Sequence, residues 1–254
     1  MAPDGRTERG TTTLRPVEVV PGFHSMAEGS VLYRAGRNAI LVTASVDEAV
    51  PEFLKGQGAG WVTAEYQMHP RCNPVRRERR DGRERPVGGR AKEIERLIGR
   101  ALRASVCRDR LGERSIVIDC DVLQADGGTR TSCITGGWLA LALAVSHLIE
   151  RKKLKLPVLR DQLAAVSVGE VGGEVLLDLC YSEDCRAAFD LNVVATAGGQ
   201  IVELQGTAEA APMARESVDA MVTLALEGIA ELCRVQRKVL AGAGVDLEAL
   251  LVPS

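Results

Sequence analysis

Short apolar-rich runs occupy residues 14–20, 30–35 and 39–46, and Pro21-Gly22, Gly29 and Gly36-Arg-Asn punctuate them. The first alternates apolar with polar residues. The pattern predicts three strands in an antiparallel meander. A flexible Gly56-Gln-Gly-Ala-Gly60 turn leads into a further strand at residues 61–66. Beyond Arg90 the period lengthens. Ile94, Leu97, Ile98, Ala101, Leu102 and Val106 recur at helical spacing. A strand at residues 115–123 then sets Ile116, Ile118, Cys120 and Val122 on one face and Asp119 and Asp121 on the other. A long apolar helix follows, predicted over 132–151. Next comes a hairpin of residues 162–168 and 174–180 around Gly172-Gly173, which places Asp178 inside a strand. A loop at 181–188 leads to strands at 189–195 and 201–205. A final helix spans about 214–241. Strands followed by a helix thus occur on both sides of about Lys155. No linker separates them, so the pattern predicts a single α/β domain over residues 1–254, made of two halves.

The composition is that of a globular chain. Of 254 residues, 46% are hydrophobic and 26% charged, enough to build a sizeable core and to exclude global disorder. The longest apolar run, residues 136–145, is about half of the ~20 residues a membrane span needs. Asp4, Arg6, Glu8 and Arg9 stand where a secretory leader would be apolar. The expectation is therefore no membrane. Seven cysteines with no C-x-x-C pair, among them Cys107, Cys120, Cys133 and Cys233 in apolar surroundings, are expected to be buried thiols in a reducing cytoplasm. Three histidines and no Cys/His cluster give no reason to expect structural zinc.

A net charge of −2 hides an asymmetry. Residues 71–90 hold eight arginines against three carboxylates, a local +5 on a body of about −7. Such a block fits a polyanionic partner, and equally a solvated loop. Two helix starts add candidate chemistry. Gly128-Thr129-Arg130 offers backbone N–H groups, a hydroxyl and a guanidinium at a helix N-terminus, and Gly88-Gly89-Arg90 opens the other helix alike. That combination suits a small dianion such as phosphate, with a plain helix cap as the alternative. Asp184 lies six residues before Asp190, which shares a strand face with Asn192. Two such carboxylates suit Mg²⁺, or serve as a turn cap and a strand-edge charge. An inward-facing role for Asp178 is a further option. Phosphate, Mg²⁺ and a polyanion together point to phosphoryl transfer on nucleic acid. No Walker A loop, dinucleotide fingerprint or evident Ser–His or Cys–His pair is present.

These residues resemble those of bacterial ribonuclease PH over nearly the whole chain. The resemblance rests on Pro3-Asp-Gly-Arg6, Glu28-Gly-Ser-Val-Leu32, Phe53-Leu-Lys-Gly-Gln-Gly58, Gly60-Trp-Val-Thr-Ala-Glu-Tyr66 and Gly89-Arg90 with Glu93-Ile-Glu-Arg-Leu-Ile-Gly-Arg100. It continues through the run from Ile118 to Thr131, Ala165-Val-Ser-Val-Gly169, Glu183-Asp184, Asp190-Leu-Asn-Val-Val194 and Val202-Glu-Leu-Gln-Gly-Thr-Ala-Glu209. It implies a phosphorolytic 3′→5′ exoribonuclease that trims tRNA precursors with inorganic phosphate, releases nucleoside diphosphates and runs in reverse. It implies phosphate binding by Arg90, Gly128, Thr129 and Arg130, catalysis and Mg²⁺ binding by Asp184 and Asp190, and RNA binding by Arg71, Arg76 and Arg79. The implied fold is a two-layer α/β unit with mixed β-sheets, like domain 2 of ribosomal protein S5, and the implied assembly a homohexamer, a trimer of dimers. Two departures stand out: Ala2 where the family usually has arginine, and a longer, arginine-rich stretch at 80–88. Three other readings compete: an exosome-type ring subunit that needs a different partner chain, a non-catalytic RNA-binding module, and a metal-dependent hydrolytic nuclease.

Overall fold

The computed structural model describes residues 6, 9–73, 77, 88–209 and 211–253. Strands β1 (Val17–Pro21), β2 (Gly29–Ala35) and β3 (Asn38–Asp47) form the expected antiparallel meander. Strand β4 (Trp61–Met68) is followed by helices α1 (Gly89–Ala104) and α2 (Arg108–Leu111), and then by β5 (Ser115–Gln124). The sheet order is β1-β2-β3-β5-β4, with β4 parallel to β5. A parallel pair needs a crossover, and α1 and α2 lie in that connection. The faces alternate as the pattern requires. Val62, Ala64 and Tyr66 of β4 and Ile116, Ile118, Cys120 and Val122 of β5 are buried. Glu65, Asp119 and Asp121 lie on the opposite face.

The second sheet, order β7-β6-β8-β9, is antiparallel throughout. It comprises β6 (Leu163–Val171), β7 (Glu174–Leu177), β8 (Phe189–Thr196) and β9 (Ile201–Ala208). A one-turn helix, α4 (Tyr181–Asp184), joins β7 to β8, and α5 (Arg215–Gly242) and α6 (Leu247–Leu250) close the chain.

Helix α3 (Thr129–Glu150) lies between the two sheets. On one side a Cβ at Gly136 would meet Tyr33 of β2 and Val42 of β3, and Gly29 approaches Ala140 so closely that a Cβ would lie 2.1 Å from its carbonyl oxygen. On the other side the Ala165 N–H of β6 donates to Thr135 Oγ1 (3.0 Å) and Trp138 Nε1 donates to the Asp161 carbonyl (3.2 Å). Contact on both sides explains why nearly every α3 side chain is buried. Strand β6 is covered twice as well. Leu163 and Ala165 join the α3 core, while Ala164, Val166 and Val168 meet Met221, Ala225 and Ile229 of α5. Residues 163–166 are accordingly a continuous apolar run rather than an alternation.

Several expectations need correction. Helix α3 begins at Thr129, three residues early, because left-handed Gly128 (φ 64°) caps it and frees the next residues for the first turn. By length and composition α3 is apolar enough to cross a membrane, but 83% of its most apolar window is buried in the protein. Strand β7 stops at Leu177, since Asp178 takes φ 56°. The loop at 181–188 contains α4. Cys107 is half-buried, whereas Cys120, Cys133 and Cys233 are buried as expected.

Candidate active site

An open cavity of about 2180 Å³ is lined by Gly88 and Arg90 from the α1 start, Gly128, Thr129 and Arg130 from the α3 start, and Asp184 and Asp190. Both glycine-arginine helix starts therefore meet in one place, which the sequence left open. Arg71 and Arg77 also line the cavity. Arg76, Arg79, Ala2 and all of the stretch 80–88 except Gly88 lie outside the described residues.

The glycine loop before α3 is built from consecutive left-handed residues, Gly127 (φ 75°) and Gly128 (φ 64°), a conformation that glycine adopts without steric cost. Its carbonyls face inward to protein donors. Arg15 Nη1 donates to the Asp126 carbonyl (2.7 Å), and Asn38 Nδ2 donates to that of Gly127 (2.6 Å). The Asp126 N–H donates to Asn38 Oδ1, and Arg37 forks onto the Asp126 carboxylate at 2.8 and 2.9 Å. The first-turn N–H groups of α3 have no partner further back in the helix, and that end carries partial positive charge. Tyr66, at the end of β4, lies 3.0 Å from the Thr129 hydroxyl. Arg130 Nη1 donates to Gln205 Oε1 of β9 (2.7 Å), and Gln205 Nε2 donates to Glu93 of α1 (2.8 Å).

The carboxylates sit opposite. The Tyr181 N–H donates to the Asp126 carbonyl (3.1 Å), and a Cβ at Gly127 would lie 2.6 Å from the Tyr181 nitrogen. The glycine loop and α4 are thus packed backbone to backbone. Asp184 is the last residue of α4, and Asp190 pairs across β8 with Gly169 and Thr207. Burial pushes the Asp184 carboxyl up, although Arg130 and Arg90 pull against it. Burial also raises Asp190, and the neighbouring Asp184 adds to the rise. Two carboxylates close enough to repel, facing arginines, form a site short of positive charge at its centre. Among the described residues no cluster of three His, Cys, Asp or Glu fit to hold a metal is found. Two carboxylates suit Mg²⁺ all the same, because that ion takes its remaining ligands from water and phosphate.

Asp178 is not an inward-facing strand residue. It is buried and accepts from Arg15, whose Nη2 lies 2.6 Å from Oδ1. Burial drives its carboxyl up, but Arg15 outweighs this and leaves it below the ordinary range. Its place is structural. Sequence reasoning missed Arg15, Asn38, Tyr66, Glu93 and Gln205. Position within the quoted motifs could have flagged Tyr66, Glu93 and Gln205, whereas Arg15 and Asn38 lie outside every one of them.

The pattern of the 3′ exoribonuclease family, domain 1, matches residues 13–146, and that of domain 2 matches residues 161–228. Among solved structures, rice (Oryza sativa) Rrp46 superposes with a TM-score of 0.74 at 16% identity, over 92% of this chain and 98% of that one. The Archaeoglobus fulgidus exosome with RNA bound to the active site gives 0.72 at 20% identity, over 89% and 90%. An archaeal exosome core gives 0.69 at 19%, over 91% and 89%. These likenesses show the ribonuclease PH fold, α/β with mixed sheets.

Proposed function

The chain belongs to the 3′ exoribonuclease family, and we propose that it is a phosphorolytic enzyme of the bacterial ribonuclease PH kind that trims the 3′ ends of tRNA precursors. The observation that carries this reading is the meeting of two glycine-arginine helix starts with Asp184 and Asp190 in one cavity. A hydrolytic nuclease has no use for a second anion site beside its scissile phosphate; a phosphorolytic one needs it.

In this reading Arg90 and the N–H groups of Gly128, Thr129 and Arg130 hold inorganic phosphate. A phosphate oxygen attacks the terminal phosphodiester, the RNA 3′-oxygen leaves with a proton, and a nucleoside diphosphate is released. Positioning and charge neutralisation supply most of the rate. Asp184 and Asp190 would hold Mg²⁺, which when bound neutralises the phosphoryl oxygens and eases departure of the 3′-oxygen. Their raised carboxyls favour a bound cation, or a proton in its place. Arg71, with Arg76 and Arg79 by resemblance, neutralises the upstream RNA backbone. The homohexamer, a trimer of dimers, sets several such basic segments around one RNA, and the cytoplasm is the compartment that fits reduced thiols.

A tRNA carrying extra 3′ nucleotides, incubated with the purified chain and Mg²⁺, tests this directly. Nucleoside diphosphates are expected only when inorganic phosphate is present. Monophosphates released without phosphate would make water the nucleophile. Activity that appears only after addition of a different ring subunit, with no hexamer in gel filtration of the chain alone, would move the reading to an exosome-type component.

A further inference from the structure

Five charges, three of them buried and two half-buried, lie beside the cavity lining. Arg6 grips Glu183 through Nε and Nη2, the latter at 3.2 Å, and Nη2 also donates to the Leu177 carbonyl (2.7 Å). Arg9 Nη2 donates to the Asp178 carbonyl (2.9 Å) and lies 3.5 Å from Glu183. Arg15 donates to Asp178 through its backbone N–H (2.8 Å), Nε (3.0 Å) and Nη2 (2.6 Å). Arg15, Asp178 and Glu183 are each less than a tenth exposed.

Stability alone accounts poorly for this cluster. Buried ion pairs recover their desolvation cost only with full hydrogen bonding. Among the described residues three guanidiniums meet two carboxylates, and Arg9 Nε is buried with no acceptor. What the cluster does accomplish is orientation. Asp184 stands on a helix of a single turn, too short to hold itself. Its neighbour Glu183 accepts from the Cys180 N–H (2.9 Å) that starts that turn, while Arg6 and Arg9 fix Glu183 from behind. Arg15 holds Asp178 on one side and the Asp126 carbonyl of the glycine loop on the other.

We propose that Arg6, Arg9 and Arg15 with Asp178 and Glu183 are positioning residues: a clasp whose Arg6–Glu183 arm sets Asp184 and whose Arg15–Asp178 arm sets the phosphate loop at Gly127 and Gly128. The proposal rests on the phosphorolytic reading of the cavity. It assigns separable effects to the two arms. Disturbing the Arg6–Glu183 arm lowers kcat and spares phosphate binding. Disturbing the Arg15 arm weakens phosphate binding.

The test compares Glu183→Gln, Arg6→Ala, Arg15→Lys and Arg15→Ala with Gln236→Met. Gln236 is buried, does not line the cavity and donates to the Thr135 and Leu163 carbonyls, so its replacement lowers stability without touching the clasp. For Glu183→Gln and Arg6→Ala we expect kcat down about tenfold, with the phosphate KM and the phosphate-induced rise in Tm of the metal-free protein within twofold of wild type. The double variant should be no worse than the poorer single one, because both disturb one contact. For Arg15→Ala the phosphate KM should rise about tenfold and the phosphate-induced Tm rise should shrink, with partial recovery in Arg15→Lys. If Arg15→Ala does not fold, Arg15→Lys and Glu183→Gln still decide. Losses that simply follow Tm, as in Gln236→Met, or wild-type constants in all clasp variants, would overturn the clasp. Wild-type protein that never uses phosphate would instead overturn the phosphorolytic reading beneath it.

Discussion

Arg130 donates to Gln205, and Gln205 donates to Glu93, so a strand of the second sheet steadies a guanidinium presented by the helix between the sheets. Arg130→Ala is expected to lower phosphate-dependent trimming by about 10²- to 10³-fold, the usual cost of one preorganised donor at developing charge. Gln205→Ala should act in the same direction with a smaller loss, read as a raised phosphate KM. The buried carboxylates give a prediction in pH. Asp178 and Glu183 are held below their ordinary range in the folded state. Their stabilisation is therefore complete above the unfolded value, about pH 4, and fades as pH falls toward the folded one. Acid unfolding of the wild type should be steeper than that of Asp178→Asn, and equal slopes would deny the carboxylate this part. At this scale the sequence pointed to Asp184, Asp190, Arg90 and the Gly128–Arg130 loop through their own side chains and spacing, and the structure brings them to one cavity. It did not show Arg15, Asn38 or Gln205, whose meaning lies in partners far along the chain.

Helix α3 draws its position from small residues. Gly29 and Gly136 let β2 and the helix approach closely, and Thr135 bonds across to β6. Gly29→Ala should therefore cost about 1–3 kcal/mol through overpacking, seen as a fall in Tm of about 2–4 °C per kcal/mol. An unchanged melting curve would mean that the backbone gives way cheaply there. The long elements were legible in the sequence: the β1–β3 meander, the alternating faces of β5, and helices α1 and α5. The short ones were not. A single turn such as α4 has no period to detect, and β7 ends where Arg15 captures Asp178, a long-range event that breaks a strand the local pattern would continue.

For the whole molecule, the two halves seen in the sequence correspond to two sheets that share one helix, and the candidate cavity is lined by residues of both. The basic segment enters the cavity rim at Arg71. Arg71→Ala is expected to weaken RNA binding at every sequence alike and to lower the salt slope of log K by about one. A slope equal to that of the wild type would remove Arg71 from the RNA path. What the sequence could not supply was the meeting of its two arginine-tipped helix starts, because their convergence depends on how the crossover brings α1 beside α3.

The bond between Arg6 and Glu183 joins residues 177 positions apart. A ribosome adding about 5–20 residues per second makes the first of these roughly 10–35 s before the second. In the last third of that interval, once Arg130 has been added, the nascent chain carries its glycine loop without α4 or Asp190. Under the proposed function, a partial chain released at that stage lacks both carboxylates that the reaction needs.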